Sequence, residues 1–119
     1  MRDYTKTRHR YLRDSLPVRL GGIAANLARV KSFSTHAENG ILVNSLVDES
    51  KYFIEWTAAE ADVDTAAELV ELQLQLVRWQ RTWATIWPDP IKRQEVSEIA
   101  KHWSDRVLEM SGLLDEEEK

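Results

Sequence analysis

Trp79, Trp83 and Trp87 stand four residues apart in a run that Pro88 ends. Apolar residues recurring every three or four positions mark an α-helix, so the run predicts a helix from about Thr65 to Trp87 with three indoles down one side. Proline pushes the residue before it out of the α region, which places the end at Trp87. The same run carries Val70, Leu74 and Val77 on an adjoining side. A surface helix ordinarily needs one apolar stripe. This one is apolar over more than half its circumference, so more than one neighbour has to cover it, within a bundle or in another subunit.

On a helical wheel Gln73 and Gln80 fall between the leucine-tryptophan side and the Val70, Leu74, Val77 side. Buried amides need hydrogen-bond partners, and a seam between two subunits related by a twofold axis would supply them. Tryptophan and arginine are also enriched at binding hot spots. The candidate interface set is therefore Trp79, Trp87, Val70, Leu74, Val77, Gln73, Gln80 and Arg81, with Arg78 and Trp56 beside it. Trp83 and Trp103 are assigned to the core. The expected assembly is a homodimer that also binds another protein.

Three more amphipathic segments surround this helix. Ser15 is a suitable N-cap before Pro17 in a first turn, and Leu16, Leu20, Ile23, Leu27 and Val30 follow at three-four spacing. The adjacent Gly21 and Gly22 weaken a helix, so they point to close approach of another backbone or to a local kink. After a small, polar connection from Ser32 to Gly40, a second helix from Ile41 to about Ala61 presents Leu42, Val43, Leu46, Val47, Phe53, Ile54 and Thr57. Asp62 or Asp64 can cap the tryptophan helix. Asp89 then reads as an N-cap with Pro90 at the first position of a last helix, whose stripe is Val96, Ile99, Trp103, Val107, Met110 and Leu114. No strand-like alternation and no internal repeat occurs. The expectation is an all-α chain: a four-helix antiparallel up-down bundle over residues 15–114, a mobile basic arm over residues 1–14 and a frayed acidic tail over residues 115–119.

The net charge of −4 is unevenly distributed. Up to Thr35 the cations are Arg2, Lys6, Arg8, Arg10, Arg13, Arg19, Arg29 and Lys31, against Asp3 and Asp14. From His36 to Gln75, Lys51 stands alone against Glu38, Asp48, Glu49, Glu55, Glu60, Asp62, Asp64, Glu68 and Glu71. The two regions can attract each other within the fold. Alternatively Arg2, Lys6, Arg8, Arg10 and Arg13, interleaved with Tyr4 and Tyr11, form an arm that binds nucleic acid by counterion release. The acidic remainder and the lack of a recognition motif count against that second reading.

Cysteine is absent, which excludes disulfides, thiolate metal sites and a cysteine nucleophile. No apolar stretch approaches the roughly 20 residues of a membrane span, and the basic N-terminus lacks the apolar core of a signal peptide; a cytoplasmic protein is expected. Bundle di-metal sites use Glu-x-x-His pairs, and none occurs. Glu98 and His102 are four apart and suit a solvated ion pair, while His9 and His36 share no ligand spacing with it. No Gly-x-Ser-x-Gly elbow is present. Glu49 and Glu60 flank the apolar face of the second helix, where only burial would make either an acid or base. The residues thus favour a non-enzymatic, self-associating protein-interaction module without a cofactor. The alternatives are the nucleic-acid arm and a carrier of a small molecule or tetrapyrrole in the bundle core, with His102 or His36 as axial ligand.

LPVRLGGIAANLARVKSFS, from Leu16 to Ser34, and ESKYFIEWTA, from Glu49 to Ala58, resemble small uncharacterised all-helical proteins of cyanobacteria. The resemblance extends from Ser15 to about Leu114. It implies a soluble bacterial cytoplasmic protein and carries over no active-site residue, ligand or reaction.

Overall fold

The computed structural model describes residues 3–114, all of whose regular elements are helical. The order is α1 (Thr5–Tyr11), α2 (Leu16–Phe33), a 3₁₀ turn (Ala37–Asn39), α3 (Gly40–Ala58), α4 (Val63–Arg81), α5 (Trp83–Ile86) and α6 (Pro90–Ser111). Two of the anticipated caps form: Asp62 Oδ1 accepts from Thr65 N at 2.8 Å, and Asp89 Oδ1 accepts from Ile91 N at 2.9 Å. Ser15 has the extended conformation of an N-cap, but its side chain makes no capping bond. At the end of α6, Gly112 takes φ 76°, the left-handed turn that closes many helices.

The long helices are held in register by side chains that cross between them. Asn26 bonds to Glu49 of α3, and Arg19 pairs with Glu60 just beyond the end of α3, so ascending positions of α2 meet descending positions of that segment. Ser97 and Ser104 of α6 donate to the carbonyls of Lys31 and Ala24, both at 2.8 Å, which runs α6 against α2. Buried Ala24 and Ala100 keep that pair close. Across the molecule Arg106 of α6 forks onto Glu68 of α4, Nε and Nη2 lying 2.6 and 2.5 Å from the two carboxylate oxygens. These charge-assisted bonds hold the Glu68 carboxyl below its usual range. Ile23, Leu27, Val30, Val43, Val47, Leu69, Leu72, Leu76, Val96 and Val107 fill the space between the four long helices.

The helix α2 runs unbroken through the glycine pair, and side chains rather than another backbone approach it. A Cβ at Gly21 would stand 2.9 Å from Leu113 Cδ1, and one at Gly22 would meet the Tyr11 ring at 3.6 Å. Side chains from both ends of the chain therefore fill the two gaps.

From Asp3 to Asp14, the described part of the N-terminal segment departs from the expected arm. Residues 5–11 are helical, and Tyr4 and Tyr11 are buried. Tyr11 stacks on Phe53 with centroids 4.1 Å apart, and its hydroxyl donates to Arg19 O at 2.9 Å and lies 2.9 Å from Thr57 Oγ1. Burial pushes this phenol up to about 12, as the low-dielectric site disfavours phenolate. Arg19 closes the joint by donating to Asp14 O and Leu12 O. The reason for the departure is that two aromatic rings anchor a segment too short to show a periodic stripe. Arg2 and the acidic tail over 115–119 lie outside the described residues.

Candidate interaction surface

The tryptophan helix is broken. Thr82 leaves the helical basin at φ −110°, ψ 15°, and its Oγ1 donates to Arg78 O at 2.8 Å. The chain restarts as α5, with Thr85 N and Ile86 N both donating to Thr82 O. The break corrects the expected line of three indoles. Trp79, on α4, is 4% exposed and belongs to the core rather than to an interface. Trp83 and Trp103, assigned to the core, are only half-buried. Trp83 stacks on Trp87 with centroids 4.9 Å apart. Trp87 Nε1 donates to Ala37 O at 2.7 Å, and the Arg93 guanidinium lies over the Trp87 ring while donating to its carbonyl. Beside this pair, Gly40, Ile41, Asn44, Ala84 and Pro88 complete an apolar groove of about 430 Å³. Ile41, at its edge, is 90% exposed.

Gln73 and Gln80 have partners inside the chain. Gln73 Nε2 donates to Lys51 O at 3.2 Å; Gln80 Oε1 accepts from Lys51 Nζ at 2.6 Å, and its amide donates to Asp48. The seam they occupy is therefore α3 against α4, not a contact between subunits. Wheel geometry placed both amides between two apolar faces, but the element covering them depends on long-range packing.

What remains of the candidate interface lies on the outer side of α4. Leu69, Leu72, Leu76 and Trp79 point inward. Val63, Ala67, Val70 and Leu74 occupy the opposite side, with Val63 84%, Val70 54% and Leu74 51% exposed. Val77 continues this line half-buried, and Arg81 ends it exposed. One flank of the stripe, with Gln73 and Gln80, is taken up by α3. The other carries exposed Asp64, Glu71 and Arg78. Two opposed apolar faces, rather than one wide one, account for the excess seen in the sequence.

The groups considered for chemistry are dispersed over the molecule. His9 lies 3.1 Å from Arg13 on α1; His36 lies 3.9 Å from Glu38 in the first connection; His102, on α6, meets Trp103 edge-on. Both candidate axial ligands, His36 and His102, are exposed and stand outside the core. Among the described residues no three His, Asp or Glu side chains are grouped as a metal would require. Glu60 pairs with Arg19, and Glu49 accepts from Asn26, so both edge carboxylates serve helix docking. Lys6, Arg8, Arg10 and Arg13 are all exposed on or beside α1. None of the helices over the described residues is long and apolar enough to cross a membrane. No family model, curated protein or solved structure matches the chain.

Proposed function

We propose that the protein is a non-enzymatic, cytoplasmic interaction module, in which the four long helices form an antiparallel up-down bundle and the outer face of α4 mediates self-association. The observation carrying this reading is the exposed line Val63, Ala67, Val70 and Leu74 on a helix whose opposite face already fills the core. Isolated exposed apolar residues are ordinary, but a contiguous patch marks a surface that another molecule covers. The dispersal of histidines and carboxylates into structural roles supports a binding rather than a catalytic task. The groove beside Trp83 and Trp87 lies near the end of the same helix and offers the aromatic character of a binding hot spot.

Sedimentation equilibrium of the wild type and the Val70→Asp/Leu74→Asp variant tests the proposal. Both side chains are about half exposed, so the aspartates leave the monomer folded. At a subunit interface they would become buried, unpaired charges, which are costly. The expected result is a wild-type dimer at tens of micromolar and a monomeric variant. A wild type that stays monomeric at that concentration overturns self-association.

A further inference from the structure

Resting on that reading, we infer that the partner of α4 is the α4 of a second copy, paired antiparallel about a twofold axis passing between Val70 and Leu74, with Asp64 of each copy facing Arg78 of the other. The exposed stripe recurs at four, three, four and three residues, from Val63 through Ala67, Val70 and Leu74 to Val77. That average of 3.5 is the period that keeps a seam facing another helix along its length. Over α4, with its rise of 1.5 Å per residue, the seam runs about 27 Å. An antiparallel twofold register matches it to itself: Val70 meets Leu74, Ala67 meets Val77, and Val63 meets the aliphatic stem of Arg81. Four of the five stripe positions thereby meet one another and Val63 meets the Arg81 stem, each contact occurring twice as an isologous interface requires.

Charge selects the direction. The flank beside Gln73 and Gln80 is closed by Lys51 and Asp48 of the same chain. The open flank carries Asp64 toward the N-terminus of α4, Glu71 at its middle and Arg78 toward its C-terminus. Parallel pairing would set Asp64 beside Asp64 and Arg78 beside Arg78. Antiparallel pairing sets Asp64 against Arg78 twice. Glu71 then comes near its own counterpart, and Arg78, which lines the same shallow groove as Glu71 and Trp103, offsets that repulsion. Opposed helix dipoles favour the same direction.

Because the chain has no cysteine, introduced thiols report the pairing unambiguously. Ala67→Cys protein mixed with Val77→Cys protein should form a disulfide-linked heterodimer on mild oxidation, while Ala67→Cys alone should not cross-link, its thiols standing nearly three turns, about 15 Å, apart along the axis. Arg78→Glu should weaken the dimer about tenfold, as expected for two attractive contacts turned repulsive, and adding Asp64→Arg to the same chain should restore it. Cross-linking of Ala67→Cys with itself, or no restoration by the second charge change, overturns the antiparallel register while leaving self-association standing. A wild type that sediments as a monomer removes both.

Discussion

Tyr11 illustrates how a single residue ties distant segments together. Its ring lies on Phe53 and its hydroxyl on Thr57 and Arg19, so α1, α2 and α3 meet at one side chain. Tyr11→Ala should cost about 3–5 kcal/mol, the range for a buried aromatic ring, whereas Tyr11→Phe, which strands the hydroxyl's partners, should cost about 1–2 kcal/mol. Titration gives an independent check. The folded phenol is raised from 10.0 to about 12, so the native state binds its proton more tightly than the unfolded chain does. Its contribution is full below pH 10 and is lost as pH rises from 10 through about 12. Urea midpoints of the wild type should therefore fall more steeply over that window than those of Tyr11→Phe; parallel slopes would contradict the burial. At Gly40 the constraint is steric. A Cβ there would lie 2.7 Å from Trp87 Nε1, so Gly40→Ala should displace the indole, break its bond to Ala37 O and alter the near-ultraviolet circular dichroism of the Trp83–Trp87 stack. An unchanged spectrum would show that the stack absorbs the methyl group without moving.

At the scale of elements, α4 divides its two apolar faces between different tasks. Leu72 is fully buried, while Leu74, two residues on, is half exposed. Leu72→Ala should cost about 2–5 kcal/mol; Leu74→Ala, measured at protein concentrations too low for association, should change stability by no more than about 0.5 kcal/mol. Comparable losses at both sites would mean that the helix is rotated from the phase described. The same helix shows where periodicity stops being informative. Apolar spacing runs without interruption from Leu69 to Trp87, yet Thr82 breaks the helix between Trp79 and Trp83. A threonine that bonds back to its own preceding turn leaves no mark in a hydrophobic pattern.

For the molecule as a whole, the N-terminal segment acts as a clasp. Tyr4 donates to Asp48, Tyr11 covers Phe53, and Arg19 gathers the carbonyls of Leu12 and Asp14 together with Glu60. Deleting residues 1–13 should accordingly lower stability by at least about 3 kcal/mol, the lower bound set by the loss of one buried ring. An unchanged urea midpoint for the truncated chain would return the segment to the status of an accessory arm. The expected attraction between the basic beginning and the acidic middle takes concrete form in Arg19 with Glu60.

Much of the helical layout follows from local chemistry. Asp62 and the Asp89-Pro90 pair start their helices as their residue types require, and the stripe from Leu20 to Val30 turns inward because its spacing matches a helical turn. Local chemistry also shows that α4 is apolar on more sides than one neighbour can cover. Only tertiary structure decides which neighbour covers which side. Gln73 and Gln80 find Lys51 and Asp48 more than twenty residues away; Trp79 takes the core place expected of Trp83; and two tyrosines without a periodic context become buried anchors. These outcomes depend on which surfaces meet at long range. Periodicity along one segment fixes the direction of its side chains, but not what stands opposite them.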